Sequence, residues 1–133
     1  MDVLMVGGDA ALREGVLQSL RATGVTGEGC EDVSCAREMA AEAPPLALVV
    51  DVKLSAAQQG AGGIPLLPGG AVILFREDVT AARPTQQVFG RSLVAELSLP
   101  LERARLMTLL QRIVARARIT GRDRRAPDPP LSP

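Results

Sequence analysis

The sequence predicts an α/β protein, a doubly wound five-stranded parallel sheet with helices on both faces. Three observations carry this expectation. Short apolar runs recur at Val3-Val6, Leu46-Val50 and Ala71-Phe75, and continuous rather than alternating apolarity marks strands buried on both faces. Stretches of helical spacing or helix-favouring composition lie between the strands, as parallel pairing requires crossover connections. Gly and Pro punctuate the boundaries at Gly7-Gly8, Gly24 and Pro44-Pro45.

The elements follow in order. Val3 to Val6 reads as the first strand, stopped by Gly7-Gly8. Asp9 suits a helix N-cap, its carboxylate accepting amide hydrogens that the first turn leaves unpaired. Leu12, Val16, Leu17 and Leu20 then recur at helical spacing, and Gly24 supplies the stop. Val25 to Cys30 is Gly-rich and weakly apolar, at best a short edge strand. Ser34 to Ala43 favours a helix that Pro44-Pro45 ends. Leu46 to Val50 is the central strand. The stretch Ser55 to Gly70 holds five Gly and two Pro, so the third helix should be shortened or irregular. Ala71 to Phe75 is a strand closed by Arg76-Glu77-Asp78, and Thr80 to Phe89 is the next crossover, with Pro84 in its first turn or breaking it. Leu93 to Leu97 reads as the last strand and Leu99-Pro100 as the turn that leaves it. From Leu101 onward, Leu106, Leu109, Leu110, Ile113, Val114 and Ala117 form a helical stripe, with Arg103, Arg105, Arg112 and Arg116 mostly elsewhere on the helix. Arg122 to Pro133 carries four Pro in twelve residues. This divides the chain into one domain over residues 1–119 and a disordered tail or linker over 120–133.

Composition narrows the function classes. With 133 residues, 47% of them apolar, the chain can bury one core. That core must be aliphatic, because there are two Phe and no Trp or Tyr. The zero formal charge hides a segregation, with a net of −5 over residues 1–100 and +6 over residues 101–125. A basic last helix on an acidic body suggests a protein or anion partner for that face. Cys30 and Cys35 match neither a paired metal motif nor a CxxC redox motif, and with no His the commonest zinc ligand is missing. Both read as small apolar residues. No run of 18 apolar residues and no signal-peptide pattern occur, which points to a cytoplasmic protein without membrane insertion.

In a parallel sheet the carboxyl ends of neighbouring strands open onto one crevice, so Asp51 and Gly7-Gly8 should meet there. Strand-Asp51-Val52-Lys53-Leu54, the first strand, the helix carrying Arg13 and Leu17, Pro44-Pro45, the strand Val72-Phe75 and Pro100 before an amphipathic helix come in a telling order. Over residues 1 to about 119 this order resembles the receiver domain of two-component response regulators. The resemblance implies the flavodoxin-like strand order 2-1-3-4-5. It also implies a phosphoacceptor at Asp51, two acids at the end of strand one that help hold Mg²⁺, a Thr or Ser after strand four, and a Lys before a cis-proline after strand five. Here the acids fall on Gly7 and Gly8, the hydroxyl on Arg76, the Lys on Leu99 and the cis-proline on Pro100. A methyl-ended Leu99 cannot donate to a phosphoryl oxygen. Asp51, as the one surviving position, is then expected to serve structure, for instance by capping the loop that follows.

These departures make the resemblance one to a degenerate pseudo-receiver, which works through protein contact and needs no cofactor. Its partner would be a kinase, an output domain or a second copy, met through the last helix and its Arg103, Arg105, Arg112 and Arg116. An active phospho-receiver is the first alternative, with Mg²⁺ held by Asp51 and by Asp9 or Glu77 in place of the lost acids. The second is a regulator that binds a second-messenger nucleotide through Arg112 and Arg116, or through the Arg125-x-x-Asp128 element. No aromatic platform points to nucleic acid. No His, activated Cys or phosphate-binding glycine fingerprint points to an independent enzyme.

Overall fold

The computed structural model describes residues 1–53, 64–76, 93–99 and 102–125. The expectations for the third helix, for the crossover before the last strand, for Pro100 and for residues 126–133 lie outside the described residues. Five strands, β1 (Val3–Val6), β2 (Gly27–Cys30), β3 (Ala47–Asp51), β4 (Ala71–Arg76) and β5 (Leu93–Ser98), form one parallel sheet of order β2-β1-β3-β4-β5. Three helices are described: α1 (Ala10–Ala22), α2 (Val33–Glu42) and α3 (Arg103–Arg125).

Each strand sends alternate side chains to opposite faces, and the two faces bury separate clusters. Val3 and Met5 of β1, Val49 of β3, Ile73 and Phe75 of β4 and Leu97 of β5 face α1 and α3, meeting Leu17, Leu20, Leu106, Leu110 and Val114. Leu4, Val6, Leu48, Val50, Val72 and Leu74 face α2 and pack on Val33, Ala36 and Ala40. The sheet is covered on both sides, which explains why β1 and β3 read as unbroken apolar runs.

Local chemistry sets the helix ends. The Asp9 carboxylate accepts the Leu12 N–H at 3.1 Å, and Asp32 does the same for Cys35 at 2.8 Å, each opening its helix as an N-cap. Gly24, just past α1, takes φ +83, the left-handed conformation that lets the chain turn back into β2. Glu102 opens α3 by accepting the Ser98 N–H at 2.9 Å and pairing with Arg105 at 3.1 Å. That backbone N–H first, and Arg105 second, hold the Glu102 carboxyl below the usual carboxylate range.

The last helix continues through Gly121 to Arg125; a single helical Gly costs about 1 kcal/mol, too little to stop a long helix whose earlier turns are packed. No helix among the described residues is long and apolar enough to cross a membrane.

Candidate functional site at the strand ends

The register aligns three residues at the crevice. Val6 pairs with Val50 and Asp51 with Phe75, so Gly7, Asp51 and Phe75 sit side by side at the carboxyl ends of β1, β3 and β4. By alternation all three belong to the α1 and α3 face of the sheet. The chain brings Asp51 and Gly7 together as the sequence predicts, with Phe75 as an unforeseen third member.

Phe75 is 1% exposed, and its ring reaches across to β1. A Cβ built on Gly7 would stand 3.0 Å from the ring Cζ, 3.8 Å from Cε1 and 3.9 Å from the Asp51 Cβ. At 3.0 Å the ring must give by a few tenths of an ångström to admit a methyl group. The glycine at the end of β1 and the phenylalanine at the end of β4 are therefore sterically complementary. Strong strand character hid this in the sequence, where Phe75 is simply the last apolar residue of a run. The available signal was a size contrast between the smallest residue ending one strand and the largest ending another.

Asp51 is 4% exposed. Its Oδ1 accepts the backbone N–H of Lys53 at 2.9 Å, so it caps the segment that follows β3. The Gly7 carbonyl accepts from the Arg13 guanidinium on α1, and the Gly7 N–H donates to the Cys30 carbonyl at 3.0 Å. Gly8 is exposed, and among the described residues, its chain neighbours aside, no atom lies within 4 Å of where its Cβ would stand. Asp9 is committed to its helix cap. Mg²⁺ takes near-octahedral oxygen ligation from one or two carboxylates together with waters and phosphate oxygens. Among the described residues no group of three His, Cys, Asp or Glu is gathered to hold a metal, and the crevice offers the one carboxylate of Asp51 beside an aromatic ring. Of the acids that could stand in for the lost pair, Asp9 caps α1 and Glu77 lies outside the described residues.

The other two altered positions are occupied structurally. Arg76 Nη2 stands 2.6 Å from Glu96 Oε1, with both side chains largely covered at 16% and 27% exposure. This is a close ionic contact rather than an aligned hydrogen bond, since the same oxygen has no hydrogen-bond partner among the described residues. Leu99 is 1% exposed and belongs to the core beneath α3, while its N–H donates to the Arg76 carbonyl at 2.8 Å. A position that the resemblance assigns to a crevice lysine is a core leucine.

The arginines of the last helix divide into two sets. Arg103 turns inward, where Nη2 donates to the Gly15 carbonyl and the Ser19 hydroxyl of α1; it is a helix-to-helix tie and leaves the outward set expected from the sequence. Arg105 pairs with Glu102, and Arg118 reaches Asp2 at 3.5 Å and the Gly24 carbonyl at 3.3 Å. Arg112 and Arg116 are exposed, with no ion pair or hydrogen bond among the described residues.

No family model matches the sequence, and no curated protein does. Solved structures do match the fold. A receiver domain from Methylobacillus flagellatus superposes with TM-score 0.67 at 16% identity, over 85% of this chain and 98% of that one. The N-terminal domain of a response regulator/sensory box/GGDEF 3-domain protein from Carboxydothermus hydrogenoformans gives 0.70 at 13%, over 90% and 98%. A response regulator from Burkholderia pseudomallei, solved with a phosphorylated aspartic acid and a calcium ion, gives 0.65 at 12%, over 99% and 76%. With the strand order and the two-faced helix packing described above, these similarities give the chain the fold of a response-regulator receiver domain.

Proposed function

We propose that this chain is a pseudo-receiver, a cytoplasmic module of two-component signalling that acts by protein contact, without phosphorylation of Asp51 and without Mg²⁺. The observation that carries this reading is the Phe75 ring seated against Gly7 beside a capped Asp51. Phosphoryl transfer to a carboxylate needs an open approach to that carboxylate and cations to neutralise the developing charge. Here an aromatic ring borders the approach, and the described crevice residues supply neither the acids nor the lysine. The contact surface in this reading is the outward side of α3, where Arg112 and Arg116 lie one turn apart and Ile119, 63% exposed, follows. Its partner is an acidic protein surface, a kinase, an output domain or a second copy.

Incubation with acetyl phosphate and Mg²⁺, followed by intact-mass measurement under acid-stable conditions, tests the proposal. No phosphoryl adduct is expected. A stoichiometric adduct that disappears in Asp51→Asn establishes the active phospho-receiver instead.

A further inference from the structure

Two helices on opposite faces of the sheet carry the same five-residue pattern with inverted charge. On α2 it is Glu38-Met39-Ala40-Ala41-Glu42, and on α3 it is Arg112-Ile113-Val114-Ala115-Arg116. Burial runs identically through both: exposed, half-buried, buried, exposed, exposed. The second and third residues of each segment pack inward, Met39 and Ala40 on the α2 side of the sheet, Ile113 and Val114 on the α1 and α3 side. The two charged residues of each segment stand about 6 Å apart along the helix axis and flank an exposed alanine. Like charges at this spacing weaken a helix. Among the described residues none of the four has an ion pair or hydrogen bond, and Arg37, also on α2, projects about 100° around the helix from Glu38. The two pairs cannot neutralise each other within one molecule, because α2 and α3 lie on opposite sides of the sheet.

From this complementarity we propose that the chain associates with itself head to tail, the Arg112 and Arg116 face of α3 on one copy seated on the Glu38 and Glu42 face of α2 on the next. This contact is the α3 surface of the pseudo-receiver reading with its occupant named, and it rests on that reading. Equal spacing lets both ion pairs form together, and Ala41 and Ala115, short side chains at the centre of each face, let the helices approach. The charge of the whole chain favours the arrangement. With no net charge, but −5 over residues 1–100 against +6 over 101–125, copies do not repel at long range and attract where the acidic body meets the basic helix. A single pair of copies cannot close both contacts, since the two surfaces face away from each other, so association continues past two. Contacts built on exposed ion pairs are weak and screened by salt.

Sedimentation of the full chain from about 10 µM to about 1 mM tests this. In about 20 mM salt the weight-average mass should rise with concentration without levelling at the dimer, and in about 0.5 M salt it should return to the monomer. Glu38→Arg/Glu42→Arg and Arg112→Glu/Arg116→Glu, at exposed positions, should each keep the wild-type melt and stay monomeric alone, because like charges then face each other. Mixed in equal amounts they should regain association, each supplying the charge the other lost. The proposal is overturned if the wild-type chain stays monomeric at low salt, if its mass levels off at the dimer, if Glu38→Arg/Glu42→Arg associates as wild type, or if the mixture does not associate. Each of these outcomes leaves the acetyl phosphate result untouched, whereas a phosphoryl adduct at Asp51 removes the pseudo-receiver reading and leaves self-association to the sedimentation data.

Discussion

At position 7 a side chain is missing and at position 75 one is oversized, and neither makes sense alone. The ring Cζ stands 3.0 Å from the place a Gly7 Cβ would take. Gly7→Ala should therefore destabilise the native protein by about 1–2 kcal/mol through overpacking. In a Phe75→Val background, where the ring is gone, the same substitution should cost nothing or fill part of the cavity. Urea unfolding of the four proteins gives the coupling, expected at about 1 kcal/mol or more; strict additivity would mean that the two positions do not share a space. Asp51 fits the same description, a carboxylate whose visible work is to hold the Lys53 N–H.

Among the elements, α3 separates stabilising from available charge. Arg103 crosses to α1 and satisfies the Gly15 carbonyl and the Ser19 hydroxyl. Arg103→Met should lower stability by about 1–3 kcal/mol, since hydrogen bonds to a charged group are lost inside a packed contact. Arg112→Glu and Arg116→Glu should each leave stability within about 0.5 kcal/mol, as expected of exposed positions without partners. Thermal melts of the three variants decide between this division and a uniformly solvated arginine face. The sequence revealed the stripe of α3 but not its rotation about its own axis, which depends on how α1 sits beneath it. In the same way, the strands and the first cap were legible because they depend on neighbours in sequence: Asp9 needs only the amide three residues on. The contacts between Gly7 and Phe75 and between Arg76 and Glu96 were not legible, because each joins residues far apart in sequence whose meeting depends on strand order and register.

For the whole molecule, the crevice lies at the carboxyl edge of a sheet whose two faces are covered by helices, and the proposed contact surface lies on α3, on one of those faces. A native state that holds no divalent cation gains nothing by mass action from adding one. The melting temperature should accordingly be the same with millimolar Mg²⁺ as with chelator. A rise that saturates with Mg²⁺ and is lost in Asp51→Asn would restore a metal site to the crevice.

The Phe75 ring has one more consequence. In a chain with two Phe and no Tyr or Trp, aromatic ring currents have only two sources, and one of them lies 3.0 Å from the Cβ position of Gly7 and beside Asp51. The α-protons of Gly7 and the β-protons of Asp51 should therefore resonate at shifted frequencies that report the position of this ring. Any event that swings the ring away, including the arrival of a partner on α3, can be followed at those nuclei without a label or a reporter residue.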